Sequence, residues 1–311
     1  MSSQEILERV REGGLLPAGT RVVAMISGGR DSTCLADLAA RLLGAGAVTA
    51  LHVNYGLRES SDADEACCEE LCDKLGVELE VERPQRPEGS GNLQAWARDT
   101  RYAAAARRAL SGQALIATGH TADDQVETIL YRLASSPSRR ALLGMRPRDG
   151  SLVRPLLGLT REETTAYCKE RGLRWRDDPT NDGLGYARNR VRHRLVPALA
   201  EIHPAAARNV LRTADLLRDE AEVLDAIVDT ELDGPNGERG TISLDRLEEL
   251  PSALRRLVVQ RLADRTAGRP VPGAANHADK VAALRRTGTA MLDLGGGVRA
   301  VSERGILHTE R

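Results

Sequence analysis

The chain has 311 residues, a formal net charge of −1, 41% hydrophobic and 29% charged residues, and 2% aromatics with no Phe. That length accommodates about two domains of roughly 150 residues each, and the composition excludes a disordered tail protein or a collagen-like fibre. A general polyanion binder would be more basic, so any nucleic-acid contact must come from local basic patches.

The opening MSSQEILERVREGG is polar and lacks the apolar core of a signal peptide. No run of about 18 apolar residues follows, so a cytoplasmic protein without membrane contact is expected. In the first half, strand-like and helix-like stretches alternate. Arg21–Ile26 reads as a strand, Ser32–Leu43 as a helix stopped by Gly44 and Gly46, and Val48–Val53 as a second strand. Ser61–Leu75 reads as a helix and Val77–Val81 as a strand. A Pro/Gly-rich loop, Pro84 to Gly91, leads to a strong helix, Asn92–Leu110. Ala114–Thr118 is a fourth strand, followed by the helix Asp123–Ala134. This alternation predicts an α/β fold: a Rossmann-like parallel sheet with helices on both faces and ligands at the carboxyl ends of its strands.

After Gly150 the pattern changes. Arg161–Arg171 and Arg188–Leu199 look helical and flank an Asp/Pro/Asn/Gly loop, Asp177–Gly185. A long helix, Ala205–Leu232, follows Pro204, and Asp233–Gly240 reads as a turn. Leu244–Ala263 and Asn276–Arg286 look helical, and short strands near Ala290–Leu294 and Val298–Val301 flank the Gly295–Gly297 turn. The expected domains are residues 1–205 and a smaller, mainly helical one over 206–311. The five cysteines, Cys34, Cys67, Cys68, Cys72 and Cys168, form no C-x-x-C. A zinc ribbon, iron–sulfur cluster or disulfide framework is therefore not expected, and the thiols read as small apolar side chains on helices.

The most informative stretch is Ser27-Gly28-Gly29-Arg30-Asp31-Ser32, directly after the first strand and opening a helix. Two glycines let backbone N–H groups turn toward an anion, the helix N-terminus adds positive potential, and the hydroxyls of Ser27 and Ser32 can donate to phosphate. Asp31 is unsuited to bare phosphate and implies a cation, most simply Mg²⁺. Neither G-x-x-x-x-G-K-[ST] nor G-x-G-x-x-G occurs, which excludes a P-loop NTPase and disfavours a dinucleotide fold.

The stretch resembles the PP-loop, SGGxDS, of the N-type ATP pyrophosphatases. Further segments sharpen the likeness: His52-Val53-Asn54-Tyr55-Gly56-Leu57-Arg58; Arg98 and Arg101-Tyr102; Ala117-Thr118-Gly119-His120-Thr121-Ala122-Asp123-Asp124-Gln125-Val126-Glu127-Thr128; Arg154-Pro155-Leu156-Leu157; Asp178-Pro179-Thr180-Asn181; and Arg188-Asn189-Arg190-Val191-Arg192. Together they resemble the bacterial tRNA(Ile)-lysidine synthases, strongly over roughly residues 20–200 and weakly thereafter.

The resemblance implies an ATP-dependent ligase with ATP and Mg²⁺ as cofactors. It would adenylate C2 of the wobble cytidine of isoleucine tRNA with a CAU anticodon, after which L-lysine displaces AMP. It makes residues 1–205 the catalytic domain and 206–311 a tRNA- or substrate-binding one, and leaves a homodimer open. Asp124 and Glu127, three apart on a helix, would share one face, grip the lysine ammonium and help it lose a proton. His120 would touch phosphate or the adenylated base. Arg98 and Arg101, one turn apart, would stabilise charge at the α-phosphate or position the cytidine. Arg188, Arg190, Arg192 and Arg194, with Arg139, Arg140, Arg146 and Arg148, would form a track for tRNA phosphates. The family more often has His where this chain has Tyr55, which can still stack on a base. Two other PP-loop chemistries, tRNA 2-thiolation and small-molecule amide synthesis, are the alternatives; the first typically needs C-x-x-C pairs, and the second goes without an RNRVR-type stretch.

Overall fold

In the computed structural model, every residue of the apolar run Val22–Ile26 (β1) is buried, because both faces of the strand are covered. The structure describes residues 1–57, 61–87, 91–135, 139–176, 187–233 and 240–311. Arg58, the Asp178-Pro179-Thr180-Asn181 segment with its loop, most of the Asp233–Gly240 turn and the side chain of Arg140 lie outside the described residues. The chain divides into two units, Met1–Asp215 and Leu216–Arg311.

In the first unit, β1 pairs in parallel with β2 (Val48–Val53) and β4 (Leu115–Thr118), β2 with β3 (Glu78–Glu82), and β4 with the short β6 (Leu152–Val153). The antiparallel β5 (Arg148–Asp149) closes the edge, giving the order β3-β2-β1-β4-β6-β5. Val22, Ala24 and Ile26 pack with α1 (Ser3–Glu12), α2 (Arg30–Leu43), α3 (Ser61–Leu75) and α7 (Arg161–Glu170). Val23 and Met25 face Ala104, Ala105 and Ala109 of α4 (Leu93–Gly112) on the other side. The expected parallel sheet with helices on both faces is thus present. It carries the loops after β1, β2, β4 and β6 to one edge, which is where ligands bind in such sheets. No helix among the described residues is long and apolar enough to cross a membrane.

Several elements differ from the sequence expectation. The polar N-terminal stretch forms α1: Ser2 and Glu5 make a reciprocal capping box, and Ile6, Leu7 and Val10 are buried. α2 begins at Arg30 rather than Ser32, because Gly29 itself is the N-cap. The stretch expected as one helix over Arg188–Leu199 is α8 (Ala187–Arg190), a wider π turn at Val191–Leu195, and α9 (Val196–Ile202).

The unit boundary falls within α10 (Ala206–Asp233). In the second unit, the helix expected over Leu244–Ala263 is broken into α11 (Leu244–Glu249) and α12 (Ser252–Ala267). Leu250 is extended ahead of Pro251, the conformation a following proline imposes. The helix expected over Asn276–Arg286 shrinks to α13 (Ala278–Ala282). Arg286 Nη1 donates to the carbonyls of Ala282 and Leu284, occupying acceptors that the next turn would need. A four-stranded antiparallel sheet completes the unit: β7 (Ile242–Ser243), β10 (Ile306–Glu310), β9 (Val298–Glu303) and β8 (Thr289–Gly295), in that spatial order. Val258, Leu262, Val281, Leu294 and Leu307 form its core.

One buried network ties α2 to α7. The Asp37 carboxylate, wholly inaccessible, accepts hydrogen bonds from the Tyr167 hydroxyl and from Nε and Nη2 of Arg171 at 3.1 and 3.2 Å. Burial, then the Asp37 bond, raises the Tyr167 phenol well above its ordinary range, so it stays a donor. Asp37→Ala leaves the buried Tyr167 hydroxyl without its acceptor and releases the exposed Arg171 guanidinium, and is expected to cost about 1–3 kcal/mol of unfolding free energy. Urea unfolding measures it; a loss below about 1 kcal/mol would show the network to be dispensable.

Candidate active site

β1 ends at Ile26, and the chain turns through Gly28 at φ +74°. A Cβ there would lie 3.0 Å from the carbonyl oxygen of Asp64, so conformation and space both demand glycine. The Gly28 carbonyl accepts the Arg176 amide at 2.9 Å. Ser32 stiffens the loop: its hydroxyl accepts the Ser27 amide at 3.1 Å and donates to the Gly29 carbonyl at 2.8 Å. Helices α1, α4, α7 and α11 are capped by the side chains of Ser2, Asn92, Thr160 and Ser243, but no side chain caps α2. Its first-turn N–H groups therefore face the loop opening with the positive end of the helix behind them, a ready anion site.

Asp31 sits in that first turn. Its carboxylate accepts the Thr164 hydroxyl at 2.6 Å and the Arg30 Nε at 3.0 Å. A Cβ on Gly119 would lie 2.9 Å from the Asp31 carbonyl oxygen and 3.1 Å from the Ser32 amide nitrogen. The loop after β4 is thus pressed backbone to backbone against the start of α2. That contact places the next functional residues beside the first.

Thr121 and Asp124 cap α5 (Ala122–Ser135) reciprocally: the Thr121 amide donates to Asp124 Oδ2 at 2.9 Å, and the Asp124 amide to the Thr121 hydroxyl at 3.5 Å. Asp123 accepts the Arg161 amide at 2.7 Å and so docks the N-terminus of α7. One turn into α5, Glu127 is only 2% exposed. Three guanidiniums converge on it and on Asp124. Arg161 Nη2 is 3.2 Å from Glu127 and 3.1 Å from Asp124; Arg188 Nε is 3.0 Å from Glu127 and its Nη2 3.1 Å from Asp124; Arg192 Nε is 2.6 Å from Glu127. The π turn at Val191–Leu195 places Arg192. Burial alone would raise the Asp124 carboxyl, but Arg188, the Thr121 amide and Arg161 outweigh it and hold it below the usual range. Arg161 is raised in return, Asp124 and Glu127 overcoming its own desolvation.

His120 joins this group through Thr118, whose hydroxyl is 2.8 Å from Nδ1. Burial, with Arg154, Arg188 and Arg98 adding to it against Asp124, pushes the imidazole down to about 4. It is neutral at physiological pH.

Ser27, Gly28, Gly29, Arg30, Asp31 and Ser32 therefore form one loop, adjoined by His120, Asp124 and Glu127. Arg188 and Arg192, expected on a phosphate track, instead point at the acid pair; Arg190 is exposed. Arg98 and Arg101 lie along the ring of Tyr102, at 4.8 and 6.0 Å from its centroid. Sequence reasoning missed Arg161 and Thr164. Both stand behind the Thr160–Glu163 capping box, a signal that announces a helix start and hides the functional side chains next to it. Among the described residues no group of three or more His, Cys, Asp or Glu is placed to hold a metal. The single Asp31 carboxylate fits a Mg²⁺ held mainly by phosphate oxygens, since Mg²⁺ typically takes only one or two protein carboxylates there.

Residues 3–199 match the PP-loop domain family. A tRNA(Ile)-lysidine synthase from Pseudomonas fluorescens is 40% identical over 213 residues, covering 66% of this chain and 48% of that protein. Another, from Symbiobacterium thermophilum, is 38% identical, covering 94% of this chain and 67% of the relative. A third, from Thermus thermophilus, is 39% identical over 80% of this chain and 50% of its own. The chain spans about half the length of the first of these relatives. Among solved structures, the U34-tRNA thiolase NcsA from Methanococcus maripaludis with its 4Fe-4S cluster superposes with a TM-score of 0.58 at 18% identity, covering 69% of this chain and 78% of that one. That likeness is one of fold.

Two outcomes follow from this geometry. Gly119→Ala forces backbone apart at the Asp31 contact and is expected to lower stability by about 1–3 kcal/mol, as overpacking does; an unchanged thermal midpoint would refute the close approach. Because His120 titrates near 4 when folded against 6.5 as a free side chain, the unfolded chain takes up its proton first. Its contribution therefore falls as pH drops from about 6.5 toward about 4. His120→Gln is expected to flatten the pH dependence of the urea midpoint across that window, and parallel curves for the two proteins would count against a buried neutral imidazole.

Proposed function

We propose, from the premise that this chain belongs to the PP-loop domain family and, within it, to the tRNA(Ile)-lysidine synthases, that it is an ATP-dependent ligase forming a carbon–nitrogen bond on tRNA. The C2 oxygen of the wobble cytidine of CAU-anticodon isoleucine tRNA attacks the α-phosphorus of ATP, and pyrophosphate leaves. An amine of L-lysine then attacks C2, and AMP leaves with the oxygen. A cytoplasmic setting suits these substrates.

The observation that carries the reading is the uncapped start of α2, pressed against Gly119, three residues ahead of α5, the helix that carries the acid pair. A polyphosphate completes the first-turn amides, and Ser27 and Ser32 border it. Mg²⁺ at Asp31 would neutralise charge on the departing pyrophosphate. Asp124 and Glu127, ringed by three guanidiniums, supply preset acceptors for the lysine ammonium, which exchanges with one of those guanidiniums on entry. An amine near pKa 10 is a poor nucleophile until deprotonated, and Asp124, the more accessible of the pair, is the acceptor best placed to take that proton. His120, neutral, hydrogen-bonds the adenylated base or its phosphate without adding charge. Residues 206–311 contribute tRNA contacts.

The thiols do not favour thiolation. A hydrogen bond with Cys168 and then burial raise Cys34, and burial raises Cys67 and Cys68 and pushes Cys72 up to about 11, whereas a sulfur-carrying cysteine needs a lowered pKa.

ATP–pyrophosphate exchange that depends on CAU-anticodon tRNA, and labelled lysine entering that tRNA, test the assignment; sulfur incorporation or exchange without tRNA would overturn it. Glu127→Gln is expected to retain tRNA-dependent exchange while raising the KM for lysine about tenfold or more, equivalent to about 1.4 kcal/mol of binding. An unaltered lysine KM would remove Glu127 from the lysine site.

A further inference from the structure

On the α4 side of the sheet, at the same carboxyl edge, four cations stand outside any ion pair among the described residues. Arg98 and Arg101 lie on α4, Arg132 on α5, and Arg154 directly after β6. None has a carboxylate within ion-pair distance among the described residues. Arg154 is only 7% exposed; its Nη1 donates to the Arg146 carbonyl at 2.6 Å, and its fully buried Nε has no partner. Arg132 Nη1 donates to the Gly144 carbonyl at 2.7 Å, and the buried Nε of Arg101 is also unpartnered. Desolvation and then repulsion, in which Arg98 acts on both, lower Arg132 and Arg154. Asp149 is the acid felt by Arg154, from beyond ion-pair distance. Buried cations are normally paired, as Arg161, Arg188 and Arg192 are a short way along the same edge.

Aromatic side chains stand beside these cations. The chain has two Trp, five Tyr and no Phe, yet Tyr55, Trp96 and Tyr102 gather here. Tyr55 and Trp96 meet edge to face at 5.5 Å between centroids, the Tyr55 hydroxyl donates to the Ala97 carbonyl at 2.5 Å, and Arg98 lies 4.8 Å over the Tyr102 ring. Arg101 is close enough to lower the Tyr55 phenol against the rise that burial causes. A triphosphate needs cations only. Guanidinium planes interleaved with partly exposed aromatic faces suit a phosphodiester and the unstacked base attached to it.

We propose that the four guanidiniums, with the aromatic side chains beside them, form a second anion site that takes a phosphodiester and an adjoining unpaired base of the RNA substrate, apart from the nucleotide loop at Ser27–Ser32. The inference rests on the reading of this chain as a tRNA-modifying ligase and adds where the RNA strand lies.

The test uses the full chain, a short fluorescent hairpin RNA with a CAU loop, and ATP, each titrated separately over a range of salt. Arg98→Ala combined with Arg132→Ala is expected to weaken hairpin binding about tenfold or more and to lower the slope of log K against log salt by about one per arginine, with the Kd for ATP unchanged. Tyr102→Leu is expected to weaken hairpin binding without altering the slope, because stacking releases no counterions. Loss of ATP binding with hairpin binding retained would assign the cluster to the triphosphate and overturn the proposal. Wild-type binding equalled by the variants would overturn it while leaving the ligase reading intact. A wild-type protein that binds no hairpin would sink both. Thermal melts of each variant confirm that folding is preserved, which the exposure of Arg98 favours.

Discussion

Burying Glu127 is the constraint on which the rest of the site depends. A carboxylate 2% exposed costs several kcal/mol unless cations and hydrogen bonds surround it. Here the compensation comes from Arg161 at the start of α7 and from Arg188 and Arg192, 61 and 65 residues further along the chain than Glu127. Meeting it fixes the chain's path. α7 must begin where its first amide reaches Asp123, and Thr164, one turn on, then donates to Asp31 in the loop after β1. One charge-balance requirement thus couples the acid pair to the loop that opens α2, with Gly119 allowing their backbones to touch.

Much of this was legible in the sequence. Strand and helix periodicity located the parallel sheet, and the glycine pair after β1 located the loop, because both are local properties of the chain. α2 starts two residues earlier than its apolar pattern suggests, since Gly29 carries the cap position without a capping side chain. Apolar spacing ran on through Leu244–Ala263, but Pro251 cut it. The three-residue spacing of Asp124 and Glu127 was readable as a shared face.

What occupies that face was not readable. Arginines four apart on a helix have the same spacing whether they meet phosphates or carboxylates, and only tertiary structure brings Arg188 and Arg192 to Glu127. Arg161 was hidden for a related reason: it is the first residue of a helix whose start is explained by Thr160 and Glu163. Arg154 stood in a quoted motif with no role, because burial, which makes its charge significant, is invisible to composition.

The sheet edge therefore carries two arginine clusters of opposite electrostatic character, and His120 stands where both are felt: Asp124 and Arg188 from the compensated one, Arg98 and Arg154 from the uncompensated one. A protonated imidazole would add to the excess positive charge on one side, and desolvation already opposes it. Kept neutral and fixed through Thr118, His120 offers a hydrogen bond without disturbing either balance. Under the proposed ligation, an entering ammonium would share by exchange the acceptors that Arg161, Arg188 and Arg192 hold at Asp124 and Glu127, at little change in local charge. Four guanidiniums with no ion-paired acid among the described residues leave an excess of positive charge that an entering anion can balance. In that proposed ligation the amine and the nucleotide carry those opposite charges, and the same edge would separate them by charge before the chemistry joins them.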